Sequence, residues 1–358
     1  MIELVLLALC YLILLISLFN FFTIRIPRNT AEISQSITVL LPMRNEELNA
    51  EDCVAGLAAQ SGLKNLQVII IDDQSTDNTA EVLAKEIAGD SRFTVIRTEG
   101  PRTGWLGKVS ALQTGFDRSN GEIIICIDAD VRLKPNALAA GVNQINDLGL
   151  DFASPYPHQI ANTFTEKLIQ PLLHWSWMST VILRLAEKTP KKSTAVANGQ
   201  FFLIRAEALK AIGGFESVSH QILDDIELAR SLISAGYKGS VTEGSEIAHT
   251  RMYSNFNEIR EGYGKSLHKA FGGVTGALFA TLFIAVTGIA PLILALTGNI
   301  IGWVAYLFIA FTRALSAIRS HSNPFYALLH PLSAALLIYL IAYSWAKRGK
   351  IQWKGRTV

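Results

Sequence analysis

The chain has 358 residues, half of them hydrophobic, with 32 Lys+Arg against 30 Asp+Glu and a formal charge of +2. That length, with a positive mean hydropathy, excludes one small, wholly soluble domain. The near-neutral charge gives no case for a nucleic-acid partner. The three scattered cysteines, Cys10, Cys53 and Cys126, lack metal-ligand spacing and read as reduced and structural.

From Ile2 to Phe22 the ionisable side chains are Glu3 and Tyr11 alone. That run is long enough to cross a bilayer as a helix. Arg25 and Arg28 follow it. A signal peptide carries its positive charge before the apolar run, so the reversed order predicts an uncleaved anchor over residues 1–24. The positive-inside rule then places residue 25 onward in the cytoplasm.

Ile37–Leu41 reads as a strand ended by Pro42-Met43-Arg44-Asn45-Glu46-Glu47, with a helix from there to Gln60. Leu66–Ile71 is a second strand, stopped by Asp72-Asp73-Gln74-Ser75-Thr76-Asp77. Asp77 is placed to cap a helix over Thr79–Ala88. Phe93–Arg97 is a third strand. Gly104-Trp105-Leu106-Gly107-Lys108 leads into a helix ending near Arg118. The fourth strand, Ile123–Ile127, is apolar throughout and runs into Asp128-Ala129-Asp130. This alternation predicts an α/β fold, a mostly parallel sheet flanked by helices. Ligands bind such sheets beyond the carboxyl ends of the strands, where all three acidic clusters fall.

The clusters differ in chemistry. Alternation along an extended chain puts Asp128 and Asp130 on one side, close enough to share a hard divalent cation such as Mg²⁺ or Mn²⁺. Asp72, Asp73 and Glu46 can accept hydrogen bonds from a base or ribose. Lys108, in a Gly-flanked turn at a helix start, can meet a diphosphate.

Pro-Met-Arg-Asn-Glu-Glu, Asp-Asp-Gln-Ser-Thr-Asp, Gly-Trp-Leu-Gly-Lys and Asp-Ala-Asp, in this order, resemble family 2 glycosyltransferases of the nucleotide-diphospho-sugar transferase (GT-A) fold, over roughly residues 36–250. The resemblance implies a nucleotide-sugar donor, commonly UDP-linked, and a divalent metal. It carries the nucleotide to Glu46 and Asp72/Asp73, and the metal-diphosphate to Asp128 and Asp130. Leu223-Asp224-Asp225-Ile226-Glu227 resembles the family's catalytic Glu-Asp before a helix, with Asp224 in the Glu position. By that alignment Asp225 is the general base for the acceptor. The plainer role of two carboxylates at a helix start is capping, and the helix dipole would stabilise both as anions.

Phe164–Leu185 is amphipathic, with Trp175, Trp177, Met178 and Leu183 on its apolar side and basic residues around it. It predicts a helix lying on a membrane surface, with a core helix as the rival. Ala197–Ile204 reads as a strand bordering the acceptor. The Gln-x-x-Arg-Trp of processive members is absent downstream, which argues against a polymer synthase. His249-Thr250-Arg251-Met252-Tyr253 stands there instead. Arg251 is placed to pair with the leaving diphosphate and His249 to complete a metal shell. Arg-Met-Tyr, a Gly-x-x-Lys and Trp353-Lys354-Gly355-Arg356 resemble membrane enzymes acting on lipids, of the hopanoid-associated, carotenoid-acid and ceramide glucosyltransferase-like groups.

Gly276–Leu296, Ile300–Leu315 and Phe325–Ala346 are three further apolar runs, the last followed by Lys347, Arg348, Lys350, Lys354 and Arg356. Three full crossings would leave this basic tail outside, against the charge rule, so either the rule fails or one run is re-entrant or interfacial. The predicted organisation is an anchor (1–24), a catalytic domain (25–271), membrane helices (272–346) and a basic tail (347–358). The expected protein is an integral membrane enzyme with its catalytic domain cytoplasmic. It transfers one sugar, with inversion, from a UDP-sugar to a membrane lipid, using Mg²⁺ or Mn²⁺. A polyprenyl-phosphate glycosyltransferase is the alternative, and a non-catalytic membrane scaffold the third reading.

Overall fold

The computed structural model describes residues 1–348, 352–353 and 356–357. Lys350, Lys354 and Gly355 of the expected basic tail lie outside the described residues. The chain divides into a sheet unit, Arg25–His158 with Leu185–Thr250, and a helical unit, Met1–Ile24 with Gln159–Arg184 and Arg251–Val358.

The sheet unit contains β1 (Ile33–Met43), β2 (Leu63–Asp72), β3 (Phe93–Arg97), β4 (Ile123–Ile127), β5 (Val131–Leu133), β6 (Phe152–Tyr156), β7 (His158–Gln159), β8 (Phe201–Arg205), β9 (Gly239–Glu243) and β10 (Ala248–Thr250). Seven of these strands form one sheet in the order β3-β2-β1-β4-β8-β6-β9. The first four run parallel, in the register Leu41↔Ile70, Ile70↔Val95 and Leu40↔Cys126. β8 enters antiparallel to both β4 and β6. The sheet is therefore mixed. Ile127 pairs with Phe201, so the start of β8 lies at the edge where β1, β2 and β4 end.

Strand periodicity builds a core on each face. On one, Ile37, Val39, Leu41, Ile70, Ile125, Phe201 and Leu203 pack with α2 (Glu47–Ala58), α3 (Thr79–Glu86) and α5 (Ala137–Leu148). On the other, Leu40, Ile69, Ile71, Ile124, Phe202 and Ile204 pack with α4 (Gly107–Phe116), α8 (Ala206–Ala211) and α9 (Asp224–Ser234). Gly115 lets α4 lie close to the sheet. A Cβ there would come within 2.8 Å of Ile71 Cδ1.

The helical unit holds α1 (Ile2–Thr23), α6 (Phe164–Thr180), the start of α7 (Leu183–Lys188), α10 (Phe256–Ala270), α11 (Val274–Ile284), α12 (Ala290–Leu296), α13 (Ile300–Arg319) and α14 (His330–Lys347). A π-helical turn, Ala285–Ile289, joins α11 to α12. Four helical stretches among the described residues are long and apolar enough to cross a membrane: Ile2–Thr23, Val274–Leu296, Ile300–Arg319 and Pro324–Lys347. α1 and α13 run side by side in the same direction. Asn299 donates to Glu3 at 2.9 Å at one end, and Arg319 to the Phe21 carbonyl at the other.

The amphipathic stretch divides into α6 and α7. Buried Asn20 closes the break, donating to the Met178 and Val181 carbonyls and accepting from Leu183 N–H. Trp175, Trp177, Met178 and Leu183 are all buried, and Trp175 packs in one apolar cluster with residues of α1, α10 and α13. They form core, not a lipid-facing surface, and the rival reading of this segment holds for them.

Candidate active site

The loops that follow β1 and β2 are laced together. Arg44 donates to the Asp73 carbonyl at 2.6 Å, Asn45 N–H to Ser75, and Glu46 N–H to Thr79 at 2.8 Å. Asn45 and Gln74 take positive φ, 50° and 60°, the left-handed turns that let both loops bend back. Asp72 turns inward. Its carboxylate accepts from Ser75 N–H at 2.8 Å and lies 3.8 Å from Arg97, so it organises its own loop. Asp73 accepts from Thr98 at 3.2 Å. Glu46 accepts from Asn49 at 2.9 Å. Asp77 is not the N-cap that the sequence suggests: Asn78 takes that place without a side-chain cap, and Asp77 accepts from Thr79 N–H and from Glu47 N–H at the start of α2.

After β4 the chain does not stay extended. Val131 N–H donates to the Asp128 carbonyl at 3.0 Å, and Arg132 braces the turn through the Ala129 carbonyl at 2.9 Å. A tight turn, not strand alternation, brings Asp128 and Asp130 together. Burial, with Asp128 and Glu46 alongside, pushes the Asp130 carboxyl up to about 6. A buried Asp130 beside a second acid disfavours its own charge and makes a cation welcome. Both donors are hard oxygens, which fits Mg²⁺ or Mn²⁺ completing its shell with diphosphate oxygens and water. Among the described residues no group of three or more His, Cys, Asp or Glu side chains is placed to hold a metal by itself. His249 lies on β10 opposite Arg132 and does not gather with the two aspartates into such a group.

Lys108, in the first turn of α4, reaches Asp128 at 2.6 Å. Burial alone would lower its pKa. Asp128, Asp224 and Asp225 outweigh that and raise it, so the ammonium stays charged among three carboxylates. Asp225, in the first turn of α9, accepts from Gly199 N–H at 2.7 Å and from Ile226 N–H at 2.8 Å. Burial and Asp224 still push its carboxyl up to about 6, against Lys108 and these N–H donors. At about 6 the Asp225 carboxyl is still mostly ionised at neutral pH, though desolvation and the adjacent acid hold it less firmly as an anion than an exposed aspartate.

The segment before β8 was missed as a positioning element. Asn198 and Gln200 bond to each other, Asn198 N–H donates to Ser154, and Asp128 N–H donates to the Gln200 carbonyl at 3.2 Å. This turn aims Gly199 N–H at Asp225 and ties it to the Asp128 turn. A Cβ on Gly199 would lie 3.2 Å from Lys108 Nζ and 3.3 Å from Asp225 Cβ. The Asn-Gly pair was the available signal, but a continuous strand was read over it. Lys108, Asp128, Asp130, Asp224 and Asp225 thus form one neighbourhood at the sheet edge, which Glu46 joins through Asp130. Arg251 belongs to the helical unit, where its guanidinium lies 3.4 Å from the fully buried carboxylate of Glu166.

Cys126, behind Lys108, is held well above the usual thiol range by burial, and Cys53 is pushed up to about 12. All three cysteines are buried and free. The expectation that they are structural fits this.

Residues 38–213 match the family model described as "Glycosyl transferase family 2". The chain is 28% identical over 250 residues to the 4,4'-diaponeurosporenoate glycosyltransferase of Staphylococcus haemolyticus, covering 67% of this chain and 63% of that protein. It is 31% identical over 118 residues to the dolichol-phosphate mannosyltransferase of Pyrococcus furiosus, about a third of either chain. The chain thus spans less than two thirds of these relatives' lengths. Among solved structures it is similar to the mannosyltransferase PcManGT from Pyrobaculum calidifontis, in complex with GDP-Man and Mn²⁺. The TM-score is 0.52 at 17% identity, with 97% of each chain covered, a likeness of fold.

Proposed function

We propose, from the match of residues 38–213 to the family model described as "Glycosyl transferase family 2", that this protein transfers one sugar, with inversion, from a nucleotide-sugar, UDP-linked in our reading, to the hydroxyl or carboxyl of a membrane lipid at the cytoplasmic leaflet. The carrying observation is the neighbourhood of Lys108. Its ammonium pairs with Asp128, beside Asp130, and lies among Asp224 and Asp225. Charge stabilisation for a leaving diphosphate and a base for an acceptor are thereby joined at one sheet edge.

Glu46, Asp73 and the ordered loops after β1 and β2 would receive the nucleoside. The two carboxylates Asp128 and Asp130 would hold Mg²⁺ or Mn²⁺, in keeping with the Mn²⁺ named for the mannosyltransferase of similar fold. What the ion supplies when bound is neutralisation of charge on the departing diphosphate. Lys108 adds a fixed positive charge next to it. Asp225 takes the proton from the acceptor hydroxyl as that oxygen bonds to the anomeric carbon. The carbon–oxygen bond to the diphosphate breaks on the opposite side, which inverts the configuration. A lipid acceptor is supported by four helical stretches of membrane-crossing length in the same chain and by a relative named for a carotenoid acid.

The test is incubation of membranes holding the protein with labelled nucleotide-sugars, with lipid products identified by mass spectrometry. A sugar-bearing lipid, formed only with a divalent ion, is expected. Transfer indifferent to EDTA would remove the metal, and equal activity on soluble sugars would remove the lipid. The dolichol-phosphate relative favours a second reading, a polyprenyl-phosphate acceptor. That acceptor is already an anion, so Asp225→Asn would then cost little.

A further inference from the structure

The helical unit holds an unpaired cation. Arg313 lies on α13 and is 2% exposed. Its Nη2 makes one long bond, 3.4 Å, to the Leu168 carbonyl. Its Nε and Nη1 have no hydrogen-bond partner, and no carboxylate among the described residues pairs with it. A guanidinium offers five donors and does not give up its proton. Shut inside an apolar bundle with two nitrogens unused, it is costly without an anion.

Polar groups surround it. Trp175 donates to Thr312, the residue before Arg313, at 2.9 Å, and stacks edge-on to His330 with centroids 4.7 Å apart. His330 lies within electrostatic reach of Arg313, and its Nδ1 has no partner. Ser333, one turn further along α14, is fully buried with its hydroxyl unused. The unused Nε and Nη1 of Arg313, with His330 in electrostatic reach, describe a site for an acceptor of hydrogen bonds. Ionisable residues kept within apolar helices generally mark such sites. Arg319 bonds at the level of Phe21, near the end where α1 leaves for residue 25. Arg313, six residues earlier on α13, lies about 9 Å deeper along the helix. That is shallow enough for a headgroup whose chain runs on between lipid tails.

We propose that Arg313, with His330 beside it, binds the oxyanion headgroup, carboxylate or phosphate, of a lipid. This deepens the reading of a lipid-directed transferase and rests on it for calling that lipid the acceptor. The binding site itself is tested without catalysis.

Full-length protein in nonionic detergent is titrated with oleate, farnesyl phosphate, oleyl alcohol and inorganic phosphate. The thermal midpoint and equilibrium binding are measured. Oleate or farnesyl phosphate raises the midpoint by a few degrees, whereas oleyl alcohol and inorganic phosphate at equal concentration do not. In R313Q binding weakens at least about tenfold, while the midpoint without ligand is no lower than that of the native protein, because an uncompensated buried charge has gone.

A fall in that midpoint with the oleate response intact would overturn the site and make Arg313 a staple to the Leu168 carbonyl. Should R313Q not fold, the native protein decides. Equal responses to oleate and oleyl alcohol would overturn the need for charge, and an equal response to inorganic phosphate would overturn the lipid. Sugar transfer is not read here. Transfer to neutral lipids without an oleate response would sink this site and leave the proposed function standing. An oleate response without any transfer would do the reverse.

Discussion

At the scale of single residues, the position of Asp225, the proposed base, has an energetic cost. Its carboxyl is pushed up to about 6 by burial and Asp224. Because the deprotonated form accepts the proton, activity on an alcohol lipid should fall as pH drops below about 6, as a pH–rate profile would show. Lys108 opposes that rise, so Lys108→Gln should move the acid limb to higher pH. Asp225→Asn should lower kcat/KM by about 100-fold or more on a hydroxyl acceptor. The same variant should be more stable than the native protein at neutral pH. With its pKa raised on folding, the native aspartate binds more protons than the unfolded one between the ordinary aspartate pKa and about 6. Stability is therefore lost as pH rises through that window. Thermal midpoints of the two proteins should converge in acid and separate towards neutrality.

At the scale of elements, the site depends on how closely α4, α9 and the turn before β8 approach one another. Gly199 lies at that approach, where a methyl would stand 3.2 Å from Lys108 Nζ and 3.3 Å from Asp225 Cβ. Gly199→Ala should cost about tenfold or more in kcat through displacement of the base, with little change in thermal midpoint. β4 shows the converse. Ile125 is completely buried, so Ile125→Ala should destabilise by roughly 2–5 kcal/mol in denaturant unfolding. The antiparallel entry of β8 was not legible in the sequence. Phe201–Ile204 is apolar at every position, like a parallel strand buried on both faces, and direction leaves no mark on such a run.

At the scale of the whole molecule, the proposed transfer depends on a divalent ion at the sheet edge. EDTA should abolish transfer, and Mn²⁺ or Mg²⁺ should restore it. Mn²⁺ should also raise the thermal midpoint of the native protein but not of an Asp128→Asn/Asp130→Asn variant, since only a folded site gathers both carboxylates. The four apolar stretches were visible in the sequence because high hydropathy over a membrane-crossing length is a local property. Their polar interior was not, because Trp175, Arg313 and His330 come from three segments far apart in the chain.

The sequence by itself determined the buried strands of the parallel half, their carboxyl ends to within two residues, and which acids stand at those ends. These are local properties, written in the period of apolar residues and in the side chain that follows a strand. Tertiary structure alone decided that Asp72 faces its own loop, that Asp128 and Asp130 meet through a turn, and that Arg251 lies against Glu166. It also decided that Gly199 N–H meets Asp225 and that Lys108 lies among three carboxylates. Each of these joins residues brought together by strand order and helix packing, and contacts of that kind are fixed only when the sheet closes.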